Sequence, residues 1–337
     1  MPSNFDEFEL IERYFAPLSK GEPGAFGLTD DAAELAITPG KNAVVTTDAI
    51  IAGVHFPASE DPQTIASRLV RVNLSDLAAM GATPRGYTLV LALPDTTTPE
   101  WVAAFAQGLA DEQQQFGITL LGGDTTRSNG GLMLSITMIG EVSDKSIILR
   151  SGASAEDDIY VSGTIGDATL GLALMEERIT APDDDTRRFL IGRFRTPTPR
   201  VEIGLGLNGL ASAAADISDG LVADLNHICR ASGVSAEVGL ENVPLSAAAQ
   251  RLVTDNQPLR LSLLTGGDDY ELIFTAPTDL SGRLQELAVR CGVGLTRIGR
   301  VIGRGEQPSA VLVQDSNGRQ VEVGDGGYRH FHRRGPR

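Results

Sequence analysis

The sequence predicts a mixed α/β (or α+β) protein of two domains, and three observations carry that prediction. The chain has 337 residues, long enough for two domains of ordinary size. Short apolar or β-branched runs alternate with stretches of helical period. A polar, Gly- and Ser-containing stretch over 143–157 (SDKSIILRSGASAED) separates an N-terminal domain, 1–146, from a C-terminal one, 147–337.

Taken in chain order, residues 43–48 (AVVTTD) are β-branched and read as a strand. A helix over 62–80 begins just after Asp61. The run 86–93 (GYTLVLAL) reads as a strand closed by Pro94. The helix 99–116 has Pro99 near its start and Gly117 after its end, with Trp101, Phe105 and Leu109 on one apolar stripe. Residues 132–142 suit a largely buried strand. Further on, 158–162 and 270–275 read as strands, and 218–232 as a helix with Ser218 as N-cap and Gly233 just past its end. The two-proline segment 193–200 reads as a loop. GLGLNG at 204–209 fits G-x-G-x-x-G literally, but it follows a Pro-Arg pair instead of a strand and is taken as accidental.

The charge balance narrows the function. Against 44 acidic residues stand 28 basic ones, a formal charge of −16. Nucleic-acid binders need a basic face, and so does docking on an anionic membrane, so both are excluded as partners. No apolar run approaches the length of a membrane span, and the first residues, MPSNFDEFEL, lack the basic and apolar regions of a secretion signal. Cys229 and Cys291 are too few for a disulfide framework. The expectation is a cytoplasmic protein. The basic stretch 328–337 reads as a solvated tail.

The informative pattern is where the acids sit. TDDAA at 29, TTDAI at 46, GGDTT at 122, DISDG at 216 and GGDDYE at 266 each place carboxylates among Gly, Thr or Ser, several directly after apolar runs. Strand ends with small neighbours are where α/β sheets bind ligands. Asp76 can be placed more sharply. At 100° per residue and with Ile65 at zero, it falls at about 20°, inside the apolar stripe of its helix, while Arg71 falls at about 240°. A carboxylate there is an ion partner, a loop cap or a metal ligand. If Asp31, Asp48, Asp76, Asp124, Asp216 and Asp219 converge, their repulsion requires cations. Thr46, Thr47 and Ser218 add neutral oxygens. An oxygen-only set favours Mg²⁺, which usually serves phosphate groups. No P-loop, protein-kinase motif set or H-E-x-x-H occurs. His227 lies within a helix, where a structural role is the better reading. His55 closes the loop begun by Asp48.

These elements resemble the thiamine-monophosphate kinases, a branch of the aminoimidazole ribonucleotide synthetase-like ATP-using enzymes. The matching segments are DDAA at 30, TTDAIIAGVHF at 46, VNLSDLAAMGA at 72, LLGGDTTRS at 120, LRSGA at 149, DISDGL at 216, GGDDYEL at 266 and GYRHF at 327. They run in family order over nearly the whole chain. GVHF favours this kinase over the synthetases of purine or hydrogenase maturation, which remain the second reading; a noncatalytic nucleotide sensor is a third.

The resemblance implies direct in-line transfer of a phosphoryl group from ATP to thiamine phosphate, giving thiamine diphosphate, with several Mg²⁺ ions assisting. It implies Asp48, Asp124 and Arg150 at the chemistry, and Gly123, Asp124, Arg150 and Ser218 on the nucleotide. It further implies Asp31, Thr46, Thr47, Asp48, Asp76, Asp124, Asp216 and Asp219 as metal ligands. His55, Asp268 and Asp325 would face the substrate. The family fold implies an N-terminal sheet domain that pairs with its twin in a homodimer and a C-terminal α/β domain. The site would lie between domains and across the dimer. Three positions depart from the family pattern: Thr29 stands for a glycine, Asp268 for a glutamate, and Asp325 for an aromatic residue.

Overall fold

Six β-branched residues among the eleven of KNAVVTTDAII fix the first strand, β1 (Lys41–Ile51), as extended backbone. In the computed structural model, which describes residues 7–144, 146–254, 256–303, 310–323 and 327, it opens a four-stranded sheet. Before β1 come a short helix, α1 (Glu7–Leu10), and a series of tight helical turns to residue 28. After it come α2 (Pro62–Ala79), β2 (Thr83–Pro94), α3 (Pro99–Phe116), β3 (Thr119–Ser128) and β4 (Met133–Ser143). The sheet order is β1-β4-β2-β3. β4 pairs antiparallel with β1 and β2, and β3 runs parallel to β2. The parallel pair needs a crossover, and α3 supplies it.

The helix ends follow from local chemistry. Asp61 Oδ2 accepts the Thr64 N–H (3.0 Å) at the start of α2. Thr98 Oγ1 accepts the Trp101 N–H (3.2 Å) at the start of α3, which stops at Gly117 in the left-handed region (φ 66°). α2 departs from a one-sided stripe: Arg68, Asn73 and Ser75 are buried as well as Ile65, Leu69 and Leu74. A helix buried nearly all round makes the 100° stripe a weak guide to which side Asp76 faces.

Cα packing divides the chain into two compact units: residues up to Leu77 with Ala82–Ile147, and Ala78–Gly81 with everything from Ile148. The second unit contains β5 (Asp158–Ser162), α4 (Asp167–Met175), α5 (Asp184–Arg195), α6 (Val201–Gly206), β6 (Ala213–Asp216), α7 (Leu221–Ser232) and β7 (Ser235–Gly239). There follow α8 (Ala247–Val253), α9 (Gln257–Ser262), β8 (Leu272–Ala276), α10 (Ser281–Cys291), β9 (Leu295–Ile302), β10 (Val311–Gln314) and β11 (Gln320–Val321). Its sheet runs β11-β10-β7-β9-β5-β8-β6. Only β10–β7 is parallel among the described residues. Ile159, Val161, Ala213, Ala215 and Ile273 face one core with Leu221, Leu225 and Ile228 of α7. Tyr160, Ala214, Leu272 and Phe274 face another with Ile203, Leu207, Leu284 and Leu287. Coverage on both faces explains why β5, β6 and β8 are buried at every position.

Three boundaries differ from the sequence expectation. β8 begins at Leu272 because Tyr270 takes φ 51° and cannot continue a strand. α7 begins at Leu221, with Gly220 and not Ser218 as its N-cap. α5 runs into the segment expected as a loop and ends at Arg195. GLGLNG lies in α6 and the turn after it, where a Cβ on Gly204 would run into the Ala78 carbonyl. That glycine serves helix packing.

Candidate functional site

In the first unit the acids are held by a strand and a helix. The even positions of β1 (Val44, Thr46, Asp48, Ile50) are less exposed than the odd ones, as strand alternation requires. Thr46 Oγ1 donates to Asp76 Oδ2 at 2.5 Å, which joins β1 to α2 and explains how the half-buried carboxylate is tolerated. Two residues on, the Asp48 N–H donates to Asn73 Oδ1 (3.1 Å), and Asn73 in turn donates to the Leu69 carbonyl (2.8 Å). Thr46, Asp48 and Asp76 therefore share one face. Thr47 does not share it: its hydroxyl lies within 2.9 Å of the Ile136 carbonyl and 3.0 Å of the Thr137 hydroxyl. Its neighbours on that outer face include exposed Val45 (61%) and Ile51.

Gly123 and Asp124 stand on β3. A Cβ at Gly123 would run into the Leu89 carbonyl, so only glycine allows β3 to crimp against β2 there. Asp124 is exposed. The register aligns Asp48 with Ile136, Leu89 and Gly123 across all four strands. Asp48 and Asp124 thus lie on opposite edges, roughly 14 Å apart along the sheet at the usual strand spacing.

Asp31 is exposed in a bend after the turn over Pro23–Leu28. Thr29 there has φ −108°, an ordinary conformation, so the residue that replaces the family glycine is unstrained, and its hydroxyl donates to the Phe26 carbonyl (2.7 Å). His55 closes a tight turn in which the Ile51 N–H donates to its Nδ1 (3.0 Å). That contact leaves the proton of a neutral ring on Nε2.

In the second unit two loops interlock. One is the turn 216–220 after β6, the other 265–270 before β8. The Asp268 N–H donates to the Ser218 carbonyl (2.9 Å), the Tyr270 N–H to the Ile217 carbonyl (2.8 Å), and the Ile217 N–H to the Glu271 carbonyl (2.8 Å). Asp268 has φ 71°. Asp enters this left-handed region more readily than Glu, which gives the departure from the family glutamate a backbone reason. Asp216 is buried at the end of β6, while Ser218 and Asp219 are partly exposed. Arg150 is exposed on the segment before β5, and the neighbouring Leu149 carbonyl accepts the Ala214 N–H (3.0 Å). Asp325 lies outside the described residues.

Sequence reasoning missed Asp224. Its carboxylate is buried (1% exposed) and Oδ2 accepts the N–H groups of Ser218, Asp219 and Gly220, each at 3.1 Å. Burial and the neighbouring Asp219 charge push its carboxyl up to about 7, against the pull of those N–H donors and of Arg150. His227, expected to be structural, is exposed, and ligand atoms of Asp219, Asp224 and His227 lie within 4.8 Å of one another. The available signal was the spacing of Asp219, Asp224 and His227 around the start of one helix.

A buried charge network backs the second loop. Glu271 receives Arg200 (2.5 and 2.6 Å), Arg193 (2.8 Å) and the Ser162 hydroxyl (2.6 Å). Asp269 accepts the N–H groups of Gly166 (2.6 Å) and Ala168 (3.2 Å) at the start of α4. Burial pushes its carboxyl up to about 8. Arg193 and Arg200, expected in a loop, are ion partners.

Known proteins resemble this chain in sequence and fold. The family model "AIR synthase related protein, N-terminal domain" matches residues 29–142, and its C-terminal counterpart matches 154–310. The thiamine-monophosphate kinase of Caulobacter vibrioides is 42% identical over 308 residues, covering 90% of this chain and 86% of that one. The crystal structure of thiamine-monophosphate kinase from Stenotrophomonas maltophilia K279a superposes with a TM-score of 0.81 at 41% identity, covering 92% and 96% of the two chains. The structure of AaThiL complexed with AMPPCP and TMP does so with a TM-score of 0.75 at 31% identity, covering 96% and 97%. By sequence and by fold, over nearly its whole length, the chain belongs to the thiamine-monophosphate kinase family of AIR synthase related proteins.

Proposed function

We propose that the protein transfers a phosphoryl group from ATP to thiamine phosphate, giving thiamine diphosphate and ADP. The observation that carries this reading is the near-full-length likeness to thiamine-monophosphate kinases, one of which is AaThiL complexed with AMPPCP and TMP. The acceptor is already an ionised phosphate oxygen, so no strong general base is needed. Catalysis then rests on positioning and charge neutralisation.

The donor set supports Mg²⁺. On β1 and α2 it is oxygen-only: Thr46, Asp48 and Asp76, with Thr46 and Asp76 in hydrogen-bond contact. Asp31, Asp124, Asp216 and Asp219 complete the proposed set, Asp124 beside Gly123 on the nucleotide. Thr47 would contribute through its backbone alone, because its hydroxyl is engaged on the other face. When bound, Mg²⁺ neutralises charge on the transferring phosphate. Arg150 supplies a fixed cation for phosphate, a task that suits a guanidinium. Ser218 offers a hydroxyl to the nucleotide. His55, with its proton held on Nε2, donates to the substrate phosphate, and Asp268 faces the thiamine ring.

A homodimer fits the same reading. The outer face of the sheet carries exposed Val45 and Ile51, an apolar strip that a second copy would cover. The separation of Asp48 and Asp124 within one chain fits a site that draws Asp124 from that second copy. Among the described residues no helix is long and apolar enough to cross a membrane.

The direct test is product analysis with thiamine phosphate, ATP and Mg²⁺. Thiamine diphosphate and ADP should form in equal amounts. Orthophosphate with no thiamine diphosphate would point to a synthetase, and Mg-ATP binding without turnover to a sensor. Mixing the inactive variants Asp48→Asn and Asp124→Asn tests the shared site. Each heterodimer would carry one intact site of two, so a re-equilibrated 1:1 mixture should regain about a quarter of wild-type activity, whereas a site built from one chain should regain none.

A further inference from the structure

We infer that Asp224 is a positioning residue: by accepting three consecutive backbone N–H groups, its buried carboxylate holds the 216–220 turn in the shape that presents Asp216, Ser218 and Asp219. The inference rests on the proposed phosphotransfer, and it adds a residue that the sequence motifs do not carry.

Successive N–H groups aimed at one point form a nest, which ordinarily binds an anion. Here Ser218, Asp219 and Gly220 form one at the start of α7, and the chain fills it with its own carboxylate at 3.1 Å from each nitrogen. The nest is therefore closed to a substrate phosphate. The turn instead shows its side chains outward, where Asp219 and Ser218 are partly exposed.

The opposite side of the turn is fixed by backbone alone. Gly220 has φ 128°, and a Cβ there would stand 2.9 Å from the Thr265 carbonyl group. The Ser218 carbonyl accepts the Asp268 N–H (2.9 Å). The turn is thus gripped on one side by residues 265–268 and on the other by Asp224. Removing one grip frees three N–H groups from an interior site, which costs far more than one surface hydrogen bond.

Amide hydrogen exchange of residues 216–222 and steady-state kinetics on the full-length enzyme test this together. In Asp224→Ala, exchange at 218–220 should accelerate about 100-fold. Half-saturating Mg²⁺ should rise about 10-fold and kcat fall about 100-fold, while KM for thiamine phosphate stays within about 3-fold. In Asp224→Asn the amide oxygen still accepts the N–H groups, so exchange and kcat should stay within about 10-fold of wild type. Wild-type exchange and Mg²⁺ response in the alanine variant would overturn the inference. So would an asparagine variant as inactive as alanine but with protected amides, since that is the behaviour of a direct metal ligand. Should the alanine variant not fold, the asparagine variant decides alone: a melting temperature near wild type with kcat down more than about 100-fold counts against positioning. A wild-type enzyme that makes no thiamine diphosphate would defeat the activity reading, and the exchange measurement would still judge the role of Asp224.

Discussion

The proposed site acids of the first unit and the acids behind the loops of the second are held in different ways, although the first unit also has buried, arginine-paired carboxylates at Glu112 and Glu141. In the first, Asp48 and Asp76 sit on a strand and a helix, half-buried, and neutral groups position them: the Thr46 hydroxyl and the Asn73 amide. In the second, Asp224, Asp269 and Glu271 are buried behind loops and held by backbone N–H groups or arginines. The contrast separates two jobs. The carboxylates on regular elements are the ones proposed to meet a ligand. Carboxylates that consume N–H groups or arginines shape the loops beside them. Substitutions in the first set should cost rate directly, and in the second set stability or loop order, with rate lost only through the loop, as at Asp224.

The largest effect should come from Asp48→Asn. It preserves shape and removes one charge from the proposed metal set, so kcat should fall about 1,000-fold, with a melting temperature within a few degrees of wild type. Wild-type turnover would break the assignment of this face to phosphate chemistry. Glu271→Ala should do the reverse. Stranding Arg193 and Arg200 should cost about 3–5 kcal/mol of stability, read by denaturant unfolding. A stable variant with low activity would erase the distinction between the units. Gly123→Ala tests the first unit differently. The added methyl meets the Leu89 carbonyl, so about 1–3 kcal/mol should be lost, and ATP binding should weaken as the β3 edge shifts.

The contrast extends to pH. Burial works against the Glu141 carboxylate in the first unit. Two Thr38 donors and Arg85 nevertheless hold its carboxyl at about 2. Its contribution is present above its usual range near 4.5 and lost as pH falls toward 2. Asp269 is raised from 3.8 to about 8, so the folded state keeps a proton that the unfolded chain has released. Its contribution is full below about pH 4 and disappears as pH rises through about 8. Between pH 6 and 9 the melting temperature should therefore fall. Asp269→Asn, a neutral stand-in for the protonated acid, should flatten that slope; an unchanged slope would assign the effect elsewhere.

The same contrast explains what was legible in the sequence. The helix over 99–116 was readable to the residue because Pro99 and Gly117 act locally. Alternation along β1 put Thr46 and Asp48 on one face, but Thr47 came with them from the motif although its hydroxyl faces away. Asp76 could be located by helical angle, yet α2 is buried nearly all round, and the Thr46 hydroxyl that meets it comes from a strand thirty residues earlier. In the second unit the decisive contacts join positions far apart in sequence. Nothing near Glu271 announces Arg193 and Arg200. Nothing in DISDGLVAD states that its last acid turns back on its own loop. Period and capping report on regular elements; a loop held from behind by a buried carboxylate leaves neither signal.

The smallest effect is expected at one of the three positions where the chain departs from the family pattern. Asp268→Glu restores the family residue, but on a backbone at φ 71°. The short aspartate tolerates that conformation, while the longer side chain should lose about 1 kcal/mol there. The melting temperature should drop by a few degrees. The extra methylene carries the carboxylate toward the substrate, so KM for thiamine phosphate should fall, within about 3-fold, at constant kcat. A change confined to KM would mark Asp268 as a contact to the bound substrate alone. A fall in kcat would mean that the strained loop also sets the turn it grips through Ser218, and the division between acids that act and acids that shape would have to be redrawn at this residue.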